Sequence, residues 1–245
     1  MLRLSQTFSQ TYMGHGGDGS CCVKGVIFDM DGLMFDTEVL CTEGWFAVAE
    51  RYGLAGMNRD FIAGTKGVKR DVTEALFKEY FGNAIDFVSF YADRDAYVNE
   101  RIDEQGVPVK PGLIELLTVL QQLGIPRAVA SSSGHDRVYG YLRKAGLVDR
   151  FDAIVTGSDI KNGKPNPEIF LAAAGRLGLA PFSCLVLEDA LFGVKAAMAA
   201  GMPVILVPDE DTANEESASL ATGIADSLAD VIDLFPSSER NERKR

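Results

Sequence analysis

The chain has 245 residues, of which 47% are hydrophobic and 24% charged, and this is typical of a globular enzyme large enough for an α/β domain with an inserted subdomain. The net charge of −11 argues against nonspecific nucleic-acid binding, which depends on basic surfaces. We therefore expect no nucleic-acid partner. An anionic substrate would have to be attracted locally, by a bound cation or by a few basic side chains at the site.

The cysteine and histidine content indicates which metal sites and cross-links the protein can have. Four cysteines and two histidines are present, with no CxxC pair and no Cys/His cluster at zinc spacing, so we expect neither a zinc site nor a disulfide framework. This usage predicts a cytoplasmic protein. No apolar run approaches the roughly 18 residues that span a membrane, so we expect no membrane partner. A monomer is the default expectation.

The two ends of the chain are polar. Residues 1–22 lack the apolar block of a signal peptide and are rich in Ser, Thr and Gly, so we predict a flexible leader there, with an upstream start site or a transit peptide as the alternatives. Residues 237–245 are polar and charged, and we predict a frayed tail.

Between the ends, short apolar runs alternate with segments of helical period. The predicted strands are Val23–Phe28, Arg127–Ala130, Ala153–Val155, Leu185–Leu187 and Val204–Val207. The predicted helices are Leu113–Leu123, Asp136–Ala145, Pro167–Leu177 and Leu191–Ala200, each followed by a glycine that fits a helix C′ position. Nearly all-apolar strands are typical of a parallel sheet that is covered on both faces. The alternation predicts an α/β fold with a doubly wound parallel sheet.

The alternation stops after the first strand. Residues 37–108 contain the predicted helices Glu38–Arg51, Lys69–Tyr80 and Ile85–Ile102 and no predicted strand. This segment is too long for a simple crossover. We predict a helical cap at residues 37–108, inserted into a Rossmann-like core made of residues 23–36 and 109–236.

Paired acids follow the first strand. In Val26–Thr37, Asp29 and Asp31 are two residues apart, so an extended segment aims both carboxylates at one site. Two adjacent carboxylates repel each other unless a cation lies between them. The pair predicts a metal site, an acid/base pair or a nucleophile with a helper, and the alternative is an Asp-Gly turn at Gly32.

Three further polar segments follow predicted strands. Ser131, Ser132 and Ser133 follow the second strand, where a hydroxyl and free N–H groups can bind phosphate, or where a serine can cap a helix. Lys164 precedes two prolines that restrict its loop, which suits neutralisation of a phosphoryl group better than a solvated surface role. Glu188 and Asp189 end the fourth strand, and their hard oxygen ligands favour Mg²⁺ over zinc.

In this order and spacing, the four segments resemble the haloacid dehalogenase-like (HAD) superfamily, in the branch of phosphoglycolate phosphatases, sugar-phosphate phosphatases and β-phosphoglucomutases. The most specific match is to D-x-D-G-x-[LIV]-x-D-[ST] at residues 29–37, where Met34 occupies the [LIV] position, and the likeness extends from Val23 to about Leu234. The resemblance implies a Mg²⁺-dependent phosphatase that acts on a small phosphorylated metabolite.

The resemblance also implies residue roles. Asp29 is the expected nucleophile, which forms an aspartyl-phosphate, and Asp31 the general acid and base. The expected metal ligands are Asp29, Asp189, the backbone carbonyl of Asp31, and Glu188 directly or through water. Ser131, the N–H of Ser132 and Lys164 are expected to bind the phosphoryl oxygens.

A second expected group lies on the cap. The segment Thr65–Arg70 looks like the substrate loop of the family, with Gly67, Lys69 and Arg70 as substrate-binding candidates, alongside Ser132 and Ser133 of the core. Arg70 could bind a second anionic group by a bidentate contact, or it could simply begin a solvated helix.

Three alternatives stay open. A β-phosphoglucomutase-like mutase normally carries a histidine on the first cap helix and a cap lysine, whereas the matching positions here are Cys41 and approximately Asp93. A dehalogenase needs neither Asp31 nor a metal. A non-catalytic binding protein of the same fold would normally have lost one of the four segments.

Overall fold

The computed structural model describes residues 2–4, 23–65, 68–208 and 215–235. A seven-stranded sheet runs through this part of the chain. Its strands are β1 (Arg3–Leu4), β2 (Gly25–Phe28), β3 (Arg127–Ser131), β4 (Ala153–Thr156), β5 (Cys184–Glu188), β6 (Val204–Leu206) and β7 (Gly223–Ile224). The spatial order is β1-β7-β6-β5-β2-β3-β4. All neighbours are parallel except β1 and β7, and β2 lies at the centre between β5 and β3.

Helices cover both faces of the sheet. The core helices are α5 (Leu113–Gln122), α6 (His135–Lys144), α7 (Glu168–Leu177), α8 (Leu191–Ala199), α9 (Glu215–Leu220) and α10 (Leu228–Val231). Because successive strand residues face opposite sides, Val26 and Phe28 pack in one apolar cluster and Ile27 in another. The predicted doubly wound sheet is confirmed, with an added antiparallel edge strand. The glycines after four of the helices, Gly124, Gly146, Gly178 and Gly201, have φ between 65° and 70°, as C′ residues require.

Four helices fill the predicted cap. They are α1 (Glu38–Arg51), α2 (Arg59–Gly64), α3 (Arg70–Phe81) and α4 (Phe87–Gln105). The cap has its own apolar core around Trp45, whose ring lies 5.2 Å from that of Phe61 and 5.7 Å from that of Phe90. Helix α2 was not predicted from the sequence; it has only six residues and begins after Asn58, whose side chain accepts from the N–H of Phe61.

Two chain segments connect the cap to the core, and they lie side by side. The N–H of Asp36 donates to the carbonyl of Pro108 (2.8 Å), and that of Lys110 donates to the carbonyl of Met34 (2.9 Å). The predicted domain boundaries at residues 36/37 and 108/109 fall within this pair of segments, and we retain them as a proposal.

The N-terminal expectation needs a correction. Arg3–Leu4 lies within the predicted flexible leader, yet it pairs antiparallel with β7 at the edge of the sheet. A strand of two residues is too short to show any periodicity, so no sequence pattern predicts it. The remainder of the predicted leader and the predicted tail lie outside the described residues. Within the described ranges, no helix is long and apolar enough to cross a bilayer.

Candidate active site

The predicted acids, serines and lysine meet at the carboxyl ends of the central strands. Asp29 follows β2, Ser131 ends β3 and Glu188 ends β5. The parallel register places Phe28 opposite both Leu187 and Val129, so the residues that follow these positions come together. Ligands bind at this edge in open α/β sheets.

Lys164 lies at the centre of this site. Its side chain is 1% exposed, and its Nζ donates to Asp29 Oδ1 and to Glu188 Oε1. Burial on its own would lower the pKa of Lys164, but the two carboxylates outweigh it and raise that pKa. Burial raises the pKa of Asp29 to about 8, against the opposing effect of Lys164. The ammonium therefore keeps its proton and offers a fixed positive charge beside Asp29.

Three buried carboxylates could hold a metal ion. Asp29, Glu188 and Asp189 each offer an oxygen, and these atoms lie within 4.8 Å of one another. Glu188 Oε2 also accepts from the N–H groups of Asp189 and Ala190, at 2.9 Å each. Burial, together with the charges of Glu188 and Asp29, raises the pKa of Asp189 well above its usual range. A cluster of hard oxygen donors with excess negative charge fits Mg²⁺.

The carboxylate of Asp31 is held by residues of both the core and the cap connection. Ser133 Oγ donates to Asp31 Oδ2 (2.8 Å), and Ser131 Oγ lies 3.5 Å from the same oxygen. Arg137 Nη2 donates to Asp31 Oδ1 (3.1 Å), and Thr37 Oγ1 lies 3.3 Å from it. The acid is therefore oriented by four donors, of which the sequence analysis named only the serines.

Two glycines allow backbone to approach the acids closely. Gly32 has φ +87°, and a Cβ there would lie 2.3 Å from Asp189 Oδ2. A Cβ on Gly193 of α8 would lie 1.7 Å from Glu188 Oε1. Both positions exclude a side chain, because any larger residue would displace a carboxylate of the site.

The cap candidates are placed differently from one another. Lys69 Nζ donates to the carbonyls of Ile160 (3.2 Å) and Lys161 (3.3 Å), so it contacts a core loop and not the buried carboxylates. Arg70 is exposed and stacks on Tyr91 at 4.8 Å. Gly67 lies outside the described residues. The expected roles of these residues in substrate binding stay predictions.

An inner cavity of about 70 Å³ separates the cap from the catalytic acids. Asp29, Asp31 and the three serines line its core side, and Cys41 and Arg94 line its cap side. A wider cleft of about 800 Å³ lies next to it and is lined by Arg70, among others. The two spaces share Ser132, Ser133 and Arg137.

Two arginines of the inner cavity, Arg94 and Arg137, were not predicted from the sequence. Both lie inside helices, α4 and α6, and neither belongs to a motif. Their only sequence signal is weak, since an arginine near apolar helix positions is common on protein surfaces.

Comparison with known proteins shows the family of the chain. A family model described as "Haloacid dehalogenase-like hydrolase" matches residues 26–207, which confirms the resemblance drawn from the motifs. The "Phosphorylated carbohydrates phosphatase" of Thermotoga maritima is 33% identical over 180 residues, which cover 74% of this chain and 82% of the relative.

Solved structures of similar fold are also available. The structure of CbbY from Rhodobacter sphaeroides in complex with phosphate has a TM-score of 0.75 and 25% identity, and the match covers 85% of this chain and 96% of that one. A β-phosphoglucomutase structure from Clostridium difficile has a TM-score of 0.74 and 26% identity, with 91% and 96% of the two chains covered.

Proposed function

The chain belongs to the haloacid dehalogenase-like hydrolase family and is a phosphatase, and from this premise we propose that it hydrolyses a small phosphorylated metabolite with Mg²⁺ and through a phosphorylated Asp29. The substrate is of the sugar-phosphate or phosphoglycolate type. The observation that carries the proposal is the buried contact of Lys164 with Asp29, beside the carboxylates of Glu188 and Asp189.

Asp29 is the nucleophile in this proposal. Its carboxylate oxygen forms a bond to phosphorus while the bond from phosphorus to the ester oxygen breaks, and water then hydrolyses the aspartyl-phosphate to inorganic phosphate. Lys164, which already touches Asp29 Oδ1, holds the nucleophile in place and neutralises charge on the phosphoryl group.

Asp31 acts as the general acid and then as the general base in this proposal. It gives a proton to the leaving ester oxygen and later takes one from the attacking water. Ser133 and Arg137 hold its carboxylate at the edge of the inner cavity, which fixes the direction of proton transfer. Ser131 and the N–H of Ser132 bind the phosphoryl oxygens, at the end of β3.

Asp29, Asp189, Glu188 and the backbone carbonyl of Asp31 would hold Mg²⁺, which would neutralise charge on the phosphoryl oxygens as a Lewis acid. The donor set supports this choice, because it contains carboxylate oxygens and neither histidine nor thiolate. We also propose that the protein works in the cytoplasm as a monomer, consistent with two free buried cysteines among the described residues.

The test is release of inorganic phosphate from a panel of phosphorylated metabolites, with Mg²⁺ and with EDTA. We expect phosphate release that requires the metal and differs strongly among substrates. Release that persists unchanged in EDTA would contradict the metal requirement. Absence of release from every substrate would favour a non-catalytic binding protein of this fold.

A hexose-phosphate mutase is the second candidate, since a β-phosphoglucomutase is among the similar structures. Cys41, where the mutases carry histidine, contacts two arginines and has no acid/base partner among the described residues. This favours hydrolysis. Formation of glucose 6-phosphate from β-glucose 1-phosphate without net phosphate release would establish the mutase instead.

A further inference from the structure

Two arginines from different parts of the fold converge at the roof of the inner cavity. Arg94 Nη1, from cap helix α4, lies 3.4 Å from the Sγ of Cys41, and Arg137 Nη2, from core helix α6, lies 3.3 Å from the same sulfur. Both guanidinium groups also approach Asp95 Oδ1, at 3.4 and 3.5 Å. The two arginines thus share the sulfur of Cys41 and the partly exposed carboxylate of Asp95, and Arg137 also contacts Asp31.

These guanidinium groups are poorly satisfied for their degree of burial. Arg94 is 4% exposed, and its ring contacts with Tyr91 (4.2 Å) and Trp45 (5.1 Å) fix its plane. Among the described residues, the buried Nε atoms of Arg94 and Arg137 have no hydrogen-bond partner. Sulfur is a weak acceptor, and the carboxylates of Asp31 and Asp95 face only Nη atoms, so the two Nε donors stay open. Burying a charge in this way is costly unless a ligand completes the site.

The position of the pair fits a substrate group and not the reacting phosphate. Arg137 Nη2 lies 3.1 Å from Asp31 Oδ1, and Asp31 is the residue that protonates the leaving group in the proposed mechanism. Arg94 and Arg137 line the same cavity of about 70 Å³ as Asp29 and Ser131. Arg70, the arginine that the sequence indicated, lines the outer cleft instead.

We propose that Arg94 and Arg137 bind a second acidic group of the substrate and so determine its class: a short phosphomonoester that carries a second oxyanion near the ester oxygen. This assignment rests on the proposed phosphatase function. A carboxylate matches the planar fork of a guanidinium, and its small size matches the small cavity. The second group displaces the weak contact with Cys41 and satisfies the donors that the protein leaves open.

The test compares substrates that differ only in the second group. 2-Phosphoglycolate and 2-hydroxyethyl phosphate share a two-carbon frame and carry a carboxylate or a hydroxyl, and 1,2-ethanediol bisphosphate carries a phosphate instead. We expect wild-type kcat/KM to be highest for phosphoglycolate. Arg94→Gln should reduce the preference for phosphoglycolate over hydroxyethyl phosphate about 10-fold to 100-fold, the effect of losing a hydrogen bond between charged groups.

Several variants separate binding from structure. Arg94→Gln should raise the KM for phosphoglycolate far more than the KM for hydroxyethyl phosphate, because Arg94 contacts Cys41 and Asp95 rather than Asp31. Arg137→Gln should lower both the preference and kcat, since it also holds Asp31. Arg94→Lys keeps the charge and should recover part of the preference. Arg101→Gln, a more exposed arginine on the same helix, is the control and should change neither.

The possible outcomes are distinct. Equal wild-type rates for phosphoglycolate and hydroxyethyl phosphate, or an equal loss for both in Arg94→Gln, would overturn the assignment. Loss of preference in Arg70→Gln alone would place the second group in the outer cleft. Higher activity on the bisphosphate than on phosphoglycolate would identify a phosphate as the second group and would keep the role of the arginines.

A binding measurement tests the role of the arginines even if the protein shows no phosphatase activity. If no substrate releases phosphate, the proposed function fails, and calorimetric titration of phosphoglycolate into the wild type and Arg94→Gln still tests the arginines. We expect binding at least about 10-fold weaker in the variant. Equal affinities for the two proteins would overturn the assignment independently of catalysis.

Discussion

Replacing Gly193 with alanine tests how closely helix α8 packs against the carboxylate of Glu188. The added Cβ would lie 1.7 Å from Oε1 and 1.9 Å from the carboxyl carbon of Glu188. Such an overlap forces the Glu188 carboxylate to move. This carboxylate contacts Lys164 and accepts from the N–H groups of Asp189 and Ala190, so its displacement disturbs both the lysine and the turn that carries Asp189.

The size of the effect follows from the contacts that are lost. Hydrogen bonds to a charged group contribute about 1.5–3 kcal/mol each, and two from backbone N–H groups are at risk. The higher helix propensity of alanine compared with glycine offsets about 1 kcal/mol of this loss. We expect Gly193→Ala to lower the free energy of unfolding by about 2–5 kcal/mol. Activity should fall by about 100-fold or more, since misplacing a catalytic group by an ångström has that effect.

The assay is urea unfolding followed by circular dichroism, together with phosphate release at saturating Mg²⁺. Gly175→Ala is the matched control: Gly175 also lies within a helix, α7, but a Cβ there would meet no atom within 4 Å. The control should be as stable as the wild type or up to about 1 kcal/mol more stable. Equal stability and activity for Gly193→Ala and Gly175→Ala would refute the reasoning.

Three further predictions concern the charges of the site. Lys164→Met should lower the free energy of unfolding by about 3–5 kcal/mol and abolish phosphate release, because it leaves Asp29 and Glu188 buried without their cation. A urea midpoint close to that of the wild type would contradict this prediction. Gly32→Ala should weaken Mg²⁺ binding measured by calorimetry, since φ is +87° at Gly32 and the added Cβ would collide with Asp189 Oδ2. An unchanged Mg²⁺ affinity would show that Gly32 and Asp189 are farther apart than the structure indicates. Burial raises the pKa of Asp29 from 3.8 to about 8, so the folded state binds a proton that the unfolded chain releases. In EDTA, the urea midpoint of the wild type should therefore fall as pH rises from about 4 to 8, and that of Asp29→Asn should fall less steeply. A wild-type midpoint that rises over this range would contradict the raised pKa of Asp29.

Much of the core was predictable because its physical signals are local. Continuous apolar runs ending in polar residues located β2 to β6 within two residues, and the glycines with positive φ marked where helices stop. Strands β1 and β7 have two residues each, too few for any periodicity. In the cap, α3 begins one residue later than predicted because Lys69 is its N-cap residue, and α4 begins at Phe87 because Asp86 accepts from the N–H of Ser89.

The site was predictable only where the residues follow strands. The acids and Lys164 come together because parallel strands end at one edge, which the sequence order already implies. Arg94 and Arg137 reach the cavity from the sides of two helices, and their convergence on Cys41 depends on how the cap sits on the core. No spacing along the chain encodes that arrangement.

The most direct test of the central claim is to find the phosphoryl group on the protein. Turnover of a substrate in Mg²⁺ is stopped with acid, the protein is digested, and the peptide containing Asp29 is weighed by mass spectrometry. We expect one added phosphoryl group on Asp29, absent from Asp29→Asn, which should keep the fold and release no phosphate. Steady phosphate release by Asp29→Asn at the wild-type rate, or a phosphoryl group found only on another residue, would contradict the account.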